Sequence, residues 1–140
     1  MIVVPFEREH LHRMVIQQKQ QGLEHLVTPD VCGVLEGGQS YTALDGDEVV
    51  ACAGVIEITQ GRAVAWAYIS QGVGRRMRFV TRAVKNFLDL TQFRRIEMDV
   101  DCEFPQAHRW AKMLGFEMEC ERRRSFTPDG RDCALYAMVR

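Results

Sequence analysis

Residues Trp66 to Leu88 read WAYISQGVGRRMRFVTRAVKNFL. The apolar run from Ala63 to Ile69 has the character of a strand, and Ser70-Gln71-Gly72-Val73-Gly74 leads from it into a long amphipathic helix. A strand, a glycine-containing turn and a helix in that order form an anion site, because the turn brings backbone N–H groups together and the helix N-terminus adds its dipole. Arg75 and Arg76 fall in the first helical turn, where a positive side chain costs about 0.3–1 kcal/mol against that dipole. An anion bound there would offset the cost, so the turn is expected to receive a phosphate. Met77, Val80, Val84, Phe87 and Leu88 make the packed face of the helix. Arg75, Arg78, Arg82 and Lys85 recur at i, i+3, i+7 and i+10 along another face, which reads first as a solvated basic surface.

Outward from this stretch, 140 residues are enough for one domain with a genuine core. The composition, 46% hydrophobic and 26% charged, is that of an ordinary globular chain. A net charge of -1 gives no global case for nucleic acid or an anionic membrane. No apolar run approaches the roughly 20 residues of a membrane span, and MIVVPFEREH does not read as a signal peptide. Cys32, Cys52, Cys102, Cys120 and Cys133 are scattered, without a Cys-x-x-Cys pair, and are read as free thiols in a reducing interior. His10 and His12, two apart on a helix, point in different directions, so no metal site is expected.

Along the chain, Met1–Phe6 reads as a strand ended at Pro5, and Glu7–Leu26 as a helix with Leu11, Met14, Val15, Leu23 and Leu26 near one stripe. Val31–Gln39, with Gly33, Gly37 and Gly38, reads as a loop. Ser40–Ile58 reads as a hairpin turning at Asp45-Gly46-Asp47, and Gly54 within it marks a bulge or a close backbone approach. Thr59-Gln60-Gly61 breaks the chain again before the strand that opens the phosphate turn. After the central helix, Ile96–Val100 pairs in parallel with Ala63–Ile69 across the helical crossover. Pro105 opens a helix capped at Gly115. Phe116–Glu121 alternates as a strand, and Pro128-Asp129-Gly130 returns it into Cys133–Val139. This order gives an α/β fold: a mixed, mostly antiparallel sheet of about six or seven strands flanked by three or four helices, in a single domain over residues 1–140. The exposed terminal hairpin offers an edge for a homodimer.

Gln71-Gly72-Val73-Gly74-Arg75-Arg76 resembles the Gln/Arg-x-x-Gly-x-Gly/Ala turn of GNAT-type N-acetyltransferases, which hold the pyrophosphate of acetyl-coenzyme A there; Arg76 stands where a small residue is usual. Ala107–Phe116, AHRWAKMLGF, resembles that family's second cofactor segment, Asn-x-x-Ala-x-x-Leu-Tyr-x-Lys-x-Gly-Phe. Ala107, Gly115 and Phe116 match, and Trp110 stands in for Leu. Phe104 replaces the Asn, and Ala111 replaces the Tyr that often protonates the leaving thiolate. The resemblance implies a GNAT-like fold whose central parallel strand pair splays. It also implies acetyl-coenzyme A as co-substrate, held at Gln71, Gly72, Val73, Gly74, Arg75 and Arg76, with the backbones of Tyr68 and Ile69 aligning the thioester. The acceptor is then a primary amine on a small molecule or a protein, and the region after the first helix borders its site.

An acceptor amine of the lysine type, with a pKa of about 10.4, must lose a proton before it attacks a thioester. A carboxylate or histidine can take that proton. Glu57 is the first candidate, Asp99 and Asp101 the next, and His108 a third; each of the acids also reads as a plain surface charge. Cys102 is unsuited as an acyl nucleophile, because Asp101 and Glu103 beside it raise a thiol pKa.

AWAYIS, Arg75-Arg76 and the ending HRWAKMLGFEMECERRRSFTPDGRDCALYAMVR are similar to the acetyltransferase-like proteins of short-tailed bacteriophages, which include an internal virion protein. That similarity implies a phage or prophage origin, with the protein in the cytoplasm of a bacterial host or in the virion. It carries an alternative to the enzyme: a virion or assembly protein that keeps the cofactor site for structure alone. Binding of nucleic acid would need a broader basic surface with stacking aromatics than the chain offers.

Overall fold

The computed structural model describes residues 1–16 and 29–140. Among the described residues, seven strands form one sheet in the order β1-β2-β3-β4-β5-β7-β6. They are β1 (Ile2–Pro5), β2 (Gln39–Asp45), β3 (Glu48–Thr59), β4 (Arg62–Ile69), β5 (Arg95–Asp101), β6 (Glu117–Arg123) and β7 (Cys133–Val139). Among the described residues the helices are α1 (Arg8–Arg13), α2 (Pro29–Gly37), α3 (Met77–Leu90) and α4 (Pro105–Leu114), and one 3-10 turn (Gly74–Arg76) precedes α3. The sheet is antiparallel except for β4 and β5, whose parallel register covers Arg62–Val64 against Arg95–Glu97. The chain divides into two compact units, Met1–Ile56 with Ala65–Leu90, and Glu57–Val64 with Thr91–Arg140.

In the first unit, Phe6, Leu11, Met14, Ile16, Leu35, Val49 and Cys52 form a buried cluster, with Leu44, Ile56, Trp66 and Tyr68 packed against it. Each such aliphatic side chain contributes about 1.5–3 kcal/mol when taken fully out of water. The β2–β3 hairpin is drawn unusually tight. A Cβ on Gly54 would lie 2.5 Å from the Gln39 carbonyl oxygen, and one on Gly38 would lie 2.5 Å from that of Val55. Both glycines are therefore dictated by close backbone approach, as expected for Gly54 and not for Gly38.

Two readings of this unit need correction. Val31–Gln39 is not a loop: α2 runs through Gly33 and Gly37, because Cys32 and Leu35 place buried side chains one helical turn apart. The helix read over Glu7–Leu26 stops at Arg13, where Met14 takes extended angles (φ -87, ψ 136). Met14 and Ile16 are still buried, but Val15 between them is 63% exposed, an alternation proper to extended chain. Residues 17–26 of that expected helix lie outside the described residues.

A buried polar chain joins α1 to the sheet of this unit. The backbone N–H of Glu7 donates to His10 Nδ1 at 3.1 Å, and Thr42 Oγ1 lies 2.8 Å from the same nitrogen. Thr42 Oγ1 is also 3.6 Å from Cys52 Sγ. With Nδ1 accepting, the imidazole carries its proton on Nε2. His10 thus takes the place usually filled by Glu or Gln in a capping box.

In the second unit β7 lies between β5 and β6, with registers such as Met98↔Tyr136 and Met118↔Tyr136. Ile96, Val100, Ala111, Leu114, Phe116, Ala134, Tyr136 and Ala137 are buried. α4 begins with Pro105 and ends at Gly115, whose φ of 101 only glycine adopts without strain. There the N–H groups of Gly115 and Phe116 donate to the carbonyls of Lys112 and Ala111, each at 3.0 Å. Glu97, buried on β5, is gripped by Arg62 on both carboxylate oxygens, at 3.0 and 2.8 Å, and by Arg95 at 2.6 Å. β6 is the outer strand, and Glu117, Glu119 and Glu121 all face solvent along it.

Candidate functional site

The turn after β4 lies wholly within the first unit. Ser70 holds it at both ends of its own backbone: its N–H donates to Val50 O at 2.9 Å, and its carbonyl accepts from Val73 N–H at 3.2 Å. The Ser70 hydroxyl oxygen accepts from Gly72 N–H at 3.3 Å. The segment after α1 braces the other side, where Gln71 N–H donates to Val15 O at 2.7 Å and Ile16 forms a bridge with Ser70. This is why α1 ends early: the extended chain at Val15 and Ile16 supplies the acceptor for the turn.

Gly74 has φ +51 and opens the 3-10 turn, so its position demands a left-handed backbone. Gly72 is different, since a Cβ there would meet only the tip of Arg76 at 3.9 Å. The Arg76 N–H donates to Val73 O at 3.0 Å. Among the described residues, the N–H groups of Gly74 and Arg75 have no acceptor, whereas those of Gln71, Gly72, Val73 and Arg76 are engaged. The donors left for an anion are thus a consecutive pair, with the exposed Arg75 side chain beside them. The sequence expectation spread the site over all six residues.

Arg76 is occupied within the protein. Its Nη2 donates to Gly72 O at 2.6 Å and its Nε to Val73 O at 3.3 Å. Its Nη1 pairs with Asp45 Oδ2 at 3.1 Å and with Glu48 Oε2. The guanidinium therefore ties the turn to the β2–β3 hairpin, and its charge is met by two carboxylates. Sequence pattern could not reveal this partner, because Asp45 and Glu48 flank a turn read only for its hairpin geometry.

Upstream, Trp66 and Tyr68 project on the same side of β4 and stand 6.0 Å apart between ring centroids. Trp66 meets Phe6 edge-on at 5.2 Å. The Trp66 Nε1–H is buried and has no hydrogen-bond partner among the described residues. Burial raises the Tyr68 phenol above its ordinary pKa, with a smaller contribution from Cys32.

The expected acid–base residues lie in the second unit. Glu57, near the end of β3, is exposed, and its carboxylate makes no ion pair or hydrogen bond among the described residues. Asp99 accepts from Arg123 at 2.7 Å. Both Asp101 carboxylate oxygens are engaged, one by Glu103 N–H at 2.9 Å and the other by Arg131 at 2.8 Å. His108 is held at both ring nitrogens: Nδ1 lies 2.7 Å from the Tyr136 hydroxyl, and Nε2 lies 3.1 Å from Asp101 O. A carbonyl can only accept, so Nε2 carries a proton, and in the neutral tautomer this leaves Nδ1 to accept from Tyr136. Asp101 and His108 are thus brought together, through the Asp101 backbone, and no contact joins either to Glu57 among the described residues. Tyr136 was not singled out in the sequence; an alternating terminal strand gives no sign that one of its inward residues carries a partnered hydroxyl. Burial raises its pKa. Ala111, where the resemblance implies a tyrosine, is fully buried.

Cys52 and Cys133 are both pushed up to about 11, chiefly by burial. Among the described residues no three His, Cys, Asp or Glu side chains gather as a metal site, and no helix is long and apolar enough to cross a membrane.

No family model matches the chain, and no curated protein matches it by sequence. Solved structures do. The chain is similar to a GNAT-family acetyltransferase from Bacillus anthracis, with TM-score 0.68 and 12% identity over 98% of this chain and 93% of that one. It is also similar to a protein described as a phosphinothricin N-acetyltransferase, with TM-score 0.74 and 14% identity over 99% and 97% of the two chains. A variant of the spermidine N-acetyltransferase SpeG from Vibrio cholerae aligns with TM-score 0.64 and 16% identity over 99% and 95%. The fold is that of GNAT-type acetyltransferases.

Proposed function

We propose that this protein is an acetyl-coenzyme A dependent N-acetyltransferase. Its turn Gln71–Arg76 takes the coenzyme's diphosphate, and its acceptor is a primary amine on a small molecule or a protein. The observation that carries the reading is the pair of N–H groups at Gly74 and Arg75 that have no acceptor among the described residues, at the mouth of a helix, in a turn where Gln71, Gly72, Val73 and Arg76 are tied down. Two adjacent donors, the helix dipole and the Arg75 guanidinium match the charge and spacing of a phosphate group. Arg76 serves this site as a positioning residue, because its fork holds the carbonyls of Gly72 and Val73 away from the anion.

Acetyl-coenzyme A supplies an activated acyl group to an amine that attacks the thioester carbon; the C–S bond breaks and the amide forms. Backbone groups at Tyr68 and Ile69 align the thioester. Glu57 receives the amine's proton in this reading, since among the described residues its carboxylate has no ion pair, whereas Asp99, Asp101 and His108 are all engaged. Asp101 and His108 support the end of β5 instead. With Ala111 lacking a hydroxyl, the leaving thiolate takes its proton from water.

The second reading, a phage virion or assembly protein on the same fold, draws support from Ala111 and from the fully committed His108. A phage or prophage origin belongs to both readings as part of this proposal.

Calorimetry with acetyl-coenzyme A, using Gly74→Asp as the control, tests the enzyme. Heat of binding in the parent and none in the variant supports it. Absence of heat in the parent, together with recovery of the protein in purified virions, favours the second reading.

A further inference from the structure

We propose that the exposed face of α3 and its preceding turn, carrying Arg75, Arg78, Arg82 and Lys85, docks an acidic segment of a partner protein. All four side chains are exposed, and none has an ion pair among the described residues. Most other arginines are matched: Arg8 with Glu36, Arg62 with Glu97, Arg76 with Asp45, Arg95 with Glu119, Arg122 with Asp132 and Arg123 with Asp99. The segment Gly74–Leu88 holds five cations and no acid, in a chain whose net charge is -1, so the remainder is net acidic. Neither the 3-10 turn nor the first turn of α3 has an acidic residue to balance the helix dipole. The four charges follow one another at three- and four-residue steps, a ridge about 15 Å long.

The coenzyme reading accounts for the head of this ridge alone, since Arg82 and Lys85 stand about 10 and 15 Å further along the helix than Arg75. A complementary helix with carboxylates at the same steps would meet all four. Arginine forks pair with carboxylates bidentately, and three of the four cations are arginines. Nucleic acid fits less well. The exposed aromatic nearest in contact to α3, Tyr41, is spent edge-on against Phe87 at 5.5 Å, on the packed face of the helix. A long polyanion would also run beyond the ridge onto a net acidic chain. This inference is independent of acetyl transfer, since docking on α3 is read out by binding alone.

The test uses the full chain and a labelled helical peptide with glutamates at three- and four-residue steps, followed by fluorescence anisotropy across a salt series. The same peptide with glutamines, and a single-stranded oligodeoxynucleotide of equal charge, are the comparison probes. The variant Arg82→Glu with Lys85→Glu is matched by Arg109→Glu with Lys112→Glu, two exposed cations of α4 with no ion pair among the described residues. The glutamate peptide is expected to bind the parent and to weaken with salt. The α3 variant should lose about tenfold or more in affinity, and the α4 variant less than about twofold. Acetyl-coenzyme A binding to the α3 variant should match the parent. Failure of the parent to bind the peptide at low salt, equal losses in both variants, tighter binding of the oligonucleotide, or loss of coenzyme binding in the α3 variant would each overturn the proposal.

Discussion

Arg76 Nη2 donates to the carbonyl oxygen of Gly72 at 2.6 Å, so this large side chain closes the turn from which it projects. Its charge is met by Asp45 and Glu48 on the β2–β3 hairpin. Arg76→Ala should therefore weaken acetyl-coenzyme A binding through a loosened turn, by about tenfold, the loss of a charge-assisted fork. Asp45→Asn combined with Glu48→Gln should move binding in the same direction, although neither acid is asked to touch the coenzyme. Calorimetry on the three proteins checks this; unchanged binding in Arg76→Ala would remove its positioning role.

The two turn glycines should respond differently. Gly74→Ala forces a side chain into left-handed backbone at φ +51, at a cost of roughly 1–2 kcal/mol. Gly72→Ala meets only a guanidinium tip at 3.9 Å and should leave thermal stability nearly unchanged. Thermal unfolding of both variants decides between this assignment and one in which both positions are equally strained.

Glu97 should dominate the acid limb of stability. Hydrogen bonding to Arg62, then to Arg95, holds its carboxyl at about 2 against an ordinary 4.5. The unfolded chain binds the proton more tightly, so this contribution is complete above pH 4.5 and is lost as pH falls towards 2. Glu97→Gln should flatten the stability profile in that window and destabilise the protein at neutral pH by the order of 2 kcal/mol, since it leaves two arginines facing a neutral group. Urea unfolding at several pH values would show it.

His108 is expected to act as a strut. Tyr136→Phe removes the donor to Nδ1 and should cost about 1 kcal/mol of stability. His108→Gln should leave the pH profile of transfer unshifted and the rate within about threefold, against the 10²–10⁴-fold loss of a general acid or base. A vanished pH limb would return His108 to the chemistry.

Thiol reactivity gives a check on burial. At pH 8, Cys102 and Cys120, both partly exposed, should react with a thiol reagent well before Cys32, Cys52 and Cys133, which are buried. The high pKa of Cys52 and Cys133 reinforces the order. Mass mapping of the modified native protein reads it directly.

What the sequence disclosed follows from which interactions are local. The β4–turn–α3 unit, the Gly115 cap and the β6 alternation are set by neighbours within a few residues, so their spacing could be read. Gly54 reads as a bulge or a close approach because it interrupts a strand, and the structure selects the close approach. Gly38 gives no such sign, because the atom it makes room for, Val55 O, is 17 positions away. In the sequence α2 reads as a loop, since Gly33 and Gly37 outweigh two buried side chains, Cys32 and Leu35, in a local count. α1 was drawn too long because Met14 is buried whether the chain is helical or extended; the acceptor role of Val15 depends on Gln71, far along the sequence. Around the candidate turn the strand–turn–helix order is readable in the sequence, but the partners of Arg76, Asp101 and His108 are not. Those partners depend on register between distant strands.

Amide chemical shifts during titration of the uniformly nitrogen-15-labelled protein with acetyl-coenzyme A put the most direct question to the phosphate turn. The N–H signals of Gly74 and Arg75 should move most, saturably, while those of Gln71 and Val73, already bonded to Val15 O and Ser70 O, move little. Saturable binding that leaves Gly74 and Arg75 unmoved, or no binding at all, would contradict the account.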